Sequence, residues 1–168
     1  MSDIFIGSGK LAGKGVYVGR DFNVGEIVKY YDLKPLTQSM FDHLPEEEKM
    51  FVHSFWGEMY LFPEPSRYTN HSATPNTRSD LEKMCDIAIK PIKRGEMITT
   101  NATREIQNEL ETFVEAYESP RKVAHFTWLT GGYRNATIQY TLPNRSQKTL
   151  RLKRVSGNWR ILKGRVQN

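Results

Sequence analysis

The chain has 168 residues, 38% of them hydrophobic and 26% charged, with 12 Gly and 8 Pro, a profile that excludes collagen-like and disordered chains and allows a buried core. No run approaches the roughly 18 apolar residues of a membrane-spanning helix, and the first residues lack the basic and apolar regions of a secretion signal, so an intracellular protein with no membrane partner is expected, with cytoplasm and nucleus both open. A single cysteine, Cys85, excludes a disulfide framework and a zinc site of several thiolates, and no metal site is expected.

The opening third reads as short strands joined by tight turns. Runs at 13–18, 22–24 and 27–31 are separated by Gly19-Arg20-Asp21 and Gly25-Glu26, a hairpin pattern. Thr37 or Ser39 is placed to cap a helix over 40–55, in which Met40, Phe41, Leu44, Met50, Phe51 and Phe55 form an irregular apolar face interrupted by Pro45. A strand at 59–62, a Pro-rich loop at 63–66 and strands at 84–89 and 97–100 follow.

Around Asn101 the pattern changes, dividing the chain into segments 1–102 and 103–168. Ile106, Leu110, Phe113, Val114 and Tyr117 recur at helical spacing, so a helix is predicted from near Thr103 to just before Ser119-Pro120. Four strand-like runs come next, punctuated by Gly131-Gly132, Pro143-Asn144 and Ser156-Gly157-Asn158. Ala136, Ile138, Tyr140 and Leu142 share one face, and Thr137, Gln139 and Thr141 the other. The fold class is therefore mainly β with some α, ending in a helix packed on an antiparallel meander.

Charge is unevenly placed. Residues 1–104 carry 13 Lys/Arg against 14 Asp/Glu, whereas 119–168 carry 11 basic residues and no acidic one. A one-sign segment favours an acidic partner, either nucleic acid or an acidic protein or the acidic surface of a neighbouring domain, with a merely solvated sheet face as the alternative. Strand alternation turns Arg151 and Lys153 to the same outward face.

The densest polar stretch is Arg67-Tyr68-Thr69-Asn70-His71-Ser72-Ala73-Thr74-Pro75-Asn76. It resembles the RFxNHSCxPN signature of SET-domain protein-lysine methyltransferases. Upstream, Gly13-Lys14-Gly15-Val16-Tyr17 is similar to that family's GxG turn, and Gly25-Glu26-Ile27-Val28-Lys29-Tyr30-Tyr31 to its GExVxxY strand. Downstream, residues 86–99 resemble its AxRdIxxGEELT block. The resemblance implies a SET-domain fold of short curved β-sheets with a pseudoknot, S-adenosyl-L-methionine as cofactor, and methyl transfer to a lysine of a protein or peptide substrate. It implies cofactor binding by Gly13, Lys14, Gly15, Tyr17, Arg67, Asn70 and His71, and a catalytic place for Tyr31 in the channel that admits the lysine.

The chain departs from that pattern where the chemistry lies. The usual block ends in a tyrosine, and here Gly95-Glu96-Met97-Ile98-Thr99-Thr100-Asn101 runs into Ala102. Ser79 stands where some members carry another channel aromatic, and the cysteine-rich segment of many members is missing. Tyr117, Tyr133 and Tyr140 are the candidates to fill the gap, and the alternative function is a catalytically impaired SET-like binding module.

Overall fold

The computed structural model describes residues 3–162. Strands β1 (Ile4–Leu11) and β2 (Lys14–Val18) form a hairpin, followed by β3 (Ile27–Tyr30), β4 (Lys34–Leu36), the short helices α1 (Gln38–Asp42) and α2 (Glu46–Lys49), and the hairpin β5 (Val52–Phe55) and β6 (Glu58–Leu61). A 3-10 turn at Ser66–Tyr68 leads to β7 (Asn70–His71), β8 (Thr77–Asp80), β9 (Cys85–Ala88) and β10 (Thr99–Thr100). Helix α3 (Ala102–Glu118) and strands β11 (His125–Gly131), β12 (Asn135–Thr141), β13 (Gln147–Val155) and β14 (Asn158–Ile161) complete the chain. Strand residues outnumber helical ones, 44% against 18%, in small sheets without a barrel, so the fold is mainly β as expected. No helix of the described residues is long and apolar enough to cross a membrane.

The chain divides into two compact units. The first comprises residues 1–34 and 62–102. It contains the β1–β2 hairpin, a sheet in the order β3-β9-β8, and the two-residue parallel pair β7–β10. Strand β2 also meets the chain near Met97, because Ile98 N–H donates to Val16 C=O at 2.7 Å and Val18 N–H to Glu96 C=O at 3.0 Å. Val16, Val18, Phe22, Val28, Cys85, Ile87, Ile92 and Ile98 are among its buried apolar residues.

The second unit comprises residues 35–61 and 103–168. Its meander runs β11-β12-β13-β14 in sequence order, and Leu110 and Val114 of α3 pack with Ala136, Ile138, Tyr140, Leu150, Leu152 and Trp159. The predicted alternation and helix stripe both hold, except that Tyr117 stays half exposed, its ring stacked on Phe113. Residues 35–61, read from sequence with the first segment, cluster here instead. Their second core gathers Leu36, Phe41, Val52 and Met59.

A single helix over 40–55 does not form. Pro45 has no amide hydrogen to donate and disfavours helical geometry at the residue before it, so two short helices flank it. Val52 to Phe55 then extends as a strand, because Trp56 and Gly57 both take positive φ, the conformation a two-residue hairpin turn needs. Tryptophan rarely adopts that conformation, which hides the turn from a sequence reading.

Two buried carboxylates of α3 organise this unit. Glu109 Oε1 accepts from His53 Nδ1 at 2.9 Å, while its Oε2 accepts from Arg154 Nη2 and, at 3.1 Å, from Trp159 Nε1. Glu118 Oε1 accepts from the Tyr140 hydroxyl at 2.6 Å and from Lys148 Nζ at 2.7 Å. Burial works to raise the pKa of Glu109, but His53 and Arg154 outweigh it and hold the carboxyl below its ordinary value. Burial likewise works to lower His53, and the Glu109 carboxylate overrides it, leaving the imidazole above its ordinary value.

Replacing Glu109 with Ala removes the one carboxylate that a buried guanidinium, an indole N–H and an imidazole share. Denaturant unfolding should show a loss of about 3 to 5 kcal/mol, the range for removing one partner of a buried ion pair. A pH dependence follows from His53. A raised folded pKa gives stability that is complete below about pH 6.5, the unfolded imidazole value, and is lost as pH rises through the folded value. Melting temperatures of the wild type should fall across that window, and His53→Gln should flatten the fall.

Candidate functional site

The polar stretch at 67–76 works as a set of clamps within the first unit. Asn70 is buried, and its carboxamide adds bonds beyond the two-residue pairing of β7 with β10. Its Oδ1 accepts from Lys10 N–H at 2.7 Å, and its Nδ2 donates to Lys14 C=O at 2.8 Å and to Tyr68 C=O at 2.9 Å. The two sides of the turn between β1 and β2 are thus tied to one side chain. Six residues on, Asn76 does the same for the chain before α3: its Nδ2 donates to Met97 C=O and its Oδ1 accepts from Thr99 N–H. Between them, Ser72 N–H donates to Thr100 C=O at 2.9 Å.

The glycine turn is shaped by this clamp. Gly13 has φ of +74° and nothing within 4 Å of where a Cβ would stand, so it offers exposed backbone that a side chain would strain and cover. Gly15 is the opposite case. A Cβ there would meet Met97 Cε and Ser8 C=O at 3.2 Å and Asn70 Nδ2 at 3.3 Å, so the close approach of Asn70 to the turn depends on its absence. Tyr17 packs along β1, its ring stacked on Phe5 and its hydroxyl donating to Ser8 C=O at 2.7 Å.

Beside the turn stands a small charged cluster. Lys14 Nζ donates to the Tyr68 hydroxyl at 3.2 Å, lies 4.5 Å from that ring's centroid and is 3.6 Å from Glu64 Oε1. The Tyr68 hydroxyl donates to Glu64 at 2.6 Å. The bond to Tyr68 and the neighbouring carboxylate raise Lys14, and the bonds from Tyr68 and Lys14 lower Glu64, so both are held charged. Arg67, on the 3-10 turn, lies over the Tyr68 ring, 5.8 Å from its centroid. His71 is exposed, and its Nδ1 accepts from Ala102 N–H at 2.9 Å. A backbone amide can only donate, so Nδ1 carries the lone pair and the ring proton of the neutral imidazole sits on Nε2.

Gly13, Lys14, Gly15, Tyr17, Arg67 and Asn70 therefore come together around one turn, with His71 next in the chain. Tyr31 belongs to a different network. It is 3% exposed, its ring packs on Phe62, and its hydroxyl donates to Asp86 Oδ1 at 2.7 Å. Asp86 Oδ2 in turn pairs with Lys29 Nζ at 2.7 Å, both side chains being buried. Ser79 lies opposite Asp86 in the β8–β9 register. Ala102 is the first residue of α3. Of the tyrosines weighed for its place, Tyr140 is sealed in the core of the second unit with its hydroxyl on Glu118, so it does not serve there.

The sequence reading missed Glu64, Lys29 and Asp86. Glu64 sits in a loop chosen for its prolines. Asp86 and Lys29 sit in strands read as apolar, where a Lys and an Asp, each on a neighbouring buried strand, were the available signal. Among the described residues no group of three or more His, Cys, Asp and Glu is placed to hold a metal ion. Asn70→Ala leaves Lys10 N–H and Lys14 C=O without their partner. Unfolding free energy should drop by about 1 to 3 kcal/mol, and amide exchange should quicken first at Lys10; unchanged exchange there would refute the clamp.

Comparison with known proteins places these features. Among solved structures, the chain is similar to a Plasmodium falciparum protein assigned as a histone methyltransferase, with 19% identity, a TM-score of 0.47, and coverage of 59% of this chain and 91% of that one. It is also similar to a chain of the ctPRC2 complex, with 20% identity and a TM-score of 0.47, covering 59% of this chain and 14% of that one. No curated protein sequence matches. The family model for the SET domain matches residues 13–101, just over half the chain, from the glycine turn through both asparagine clamps to the residue before α3. The chain belongs to the SET-domain family.

Proposed function

We propose that this protein is an S-adenosyl-L-methionine-dependent protein-lysine N-methyltransferase. The observation that carries the reading is the clamped turn: Asn70 holds both sides of an open glycine turn that has a cation and an anion beside it. These residues fit S-adenosylmethionine, whose amino-acid end carries both a carboxylate and an ammonium. Lys14 matches the carboxylate and Glu64 the ammonium, the bare backbone at Gly13 permits close approach, and His71 Nε2–H is a donor for the purine edge. When bound, the cofactor supplies an electrophilic methyl on a positively charged sulfur, which the lone pair of a lysine nitrogen can take.

A lysine amine with its ordinary pKa of about 10.4 is almost wholly protonated at neutral pH, so the protein must favour the neutral form and align it. In this reading Tyr31, 3% exposed, supports the path of the amine from within and offers it no free phenol. Its hydroxyl is oriented by Asp86, whose charge is balanced by Lys29. Ala102 adds no phenol to that environment. Alignment then carries most of the rate, and proton handling by phenol groups contributes less than it would with a second tyrosine.

Two measurements test the proposal. Calorimetric titration with S-adenosylmethionine should show binding that Asn70→Ala weakens, and a lysine-peptide array should reveal a methylated substrate. Ala102→Tyr should raise transfer by up to the 10² to 10⁴ typical of a positioned proton-handling group. Cofactor binding with no transfer by either protein would favour the impaired binding module, and no cofactor binding at all would remove the methyltransferase reading.

A further inference from the structure

The basic C-terminal segment is sorted by the pleat of β13. Lys148 and Arg154 point to the inner face, where they meet Glu118 and Glu109 of α3. Arg151 and Lys153 point out and are exposed. Register places exposed Arg160 directly across from Lys153, so three cations form one contiguous group, with neighbours about 5 to 7 Å apart by strand geometry. The rest of that outer face is uncharged, polar along its cross-strand rows and apolar at its β13 end, where Val155 is exposed. Its cross-strand rows are His125, Thr141 and Gln147, then Thr127, Gln139 and Thr149, then Thr130, Thr137 and Arg151, then Asn135, Lys153 and Arg160.

We infer that this outer sheet face docks the phosphate backbone of duplex nucleic acid. The side chains present are those that contact phosphates: Lys and Arg for charge, Thr, Asn and Gln for hydrogen bonds. No Phe, Tyr or Trp stands in the four rows. Phe126 and Trp128 pair with Tyr140 and Ile138 on the inner face, and Trp159 is 2% exposed in the core. Unstacked bases therefore have no platform, which separates a duplex from a single strand. A protein partner has no aromatic anchor, which is where most of the binding energy of such interfaces lies. No acidic side chain occurs from 119 onward to repel phosphate.

The test is fluorescence anisotropy of a short labelled DNA duplex with the whole chain, titrated across salt concentrations. Three neutralised phosphates give a log–log slope of roughly −3, so each doubling of salt should weaken binding about sixfold to eightfold. Replacing Arg151, Lys153 and Arg160 together with Gln should abolish binding at low salt. Lys122→Gln, an exposed cation in the loop before β11, should leave it unchanged. Should the triple variant melt early, Lys153→Gln alone should lower the slope by about one. Equal binding by the triple variant, no binding at low salt, or tighter binding to a poly-glutamate peptide or to a single strand would each overturn the proposal. None of the three residues belongs to the cluster around Asn70, so cofactor affinity is expected to stay the same.

Discussion

One carboxamide holds the first unit in register. Asn70 lies in a strand of two residues, too short to order its surroundings by backbone pairing alone. Its side chain makes the bonds that a longer strand would have made, accepting from one side of the β1–β2 turn and donating to the other. Because the carboxamide is buried, the loss of any one of those bonds leaves a polar atom of it without the partner that offsets its burial. Asn76 repeats the device toward residues 97–99. Short strands laced by amides can bring the glycine turn, Tyr68 and the segment before α3 to one place without a large sheet.

The second unit solves a different problem. Its helix carries two carboxylates on the side that faces the sheet, and a buried carboxylate is tolerated only when paired and hydrogen-bonded. The meander supplies the partners from its inward positions, with Lys148 for Glu118 and Arg154 for Glu109, while tyrosine, tryptophan and histidine donors complete the sets. The strands need no acids of their own, because the helix provides them. This accounts for part of the one-sign composition of 119–168, and the outward cations are the surplus left after the internal pairing. The same Glu109 draws residues 35–61 into the unit through His53, which places a segment from the middle of the chain with the end of it.

The chemistry proposed for the first unit rests more on geometry than on titrating side chains. Tyr31 spends its proton on Asp86, and Lys29 pairs with that carboxylate inside the core. Such a triad fixes a ring firmly, at the cost of a phenol that would otherwise be available to a substrate. Lys14, Tyr68 and Glu64 are the reverse case: a cation and an anion left half exposed beside an open turn, where surface pairing is worth little to stability. Groups that stabilise so little and stay charged are suited to meeting a zwitterionic ligand.

Local pattern was enough to read the helix stripe from Ile106 to Val114, the alternation from Ala136 to Leu142, and the motif from Arg67 to Asn76, because each depends on periodicity or residue order along a single stretch. The inward place of Glu109 and Glu118 was also encoded, since they stand three after Ile106 and four after Val114, but their charge argued against burial until Arg154 and Lys148 were seen beside them. β1 was not readable: its glycines carry no apolar period, and Gly7 and Gly9 are required only by the nearness of Tyr17 and Lys14. The break of the helix at Pro45 was visible as an interruption, whereas the strand after it depended on a positive φ at Trp56 that only its hairpin partner imposes. Sequence by itself determined the family motifs, the C-terminal helix and the alternation of the meander, because those follow from short-range order. Tertiary structure alone decided that Tyr31 bonds Asp86, that 35–61 joins the C-terminal unit, and which cations remain outside, because each of these depends on partners brought together from distant parts of the chain.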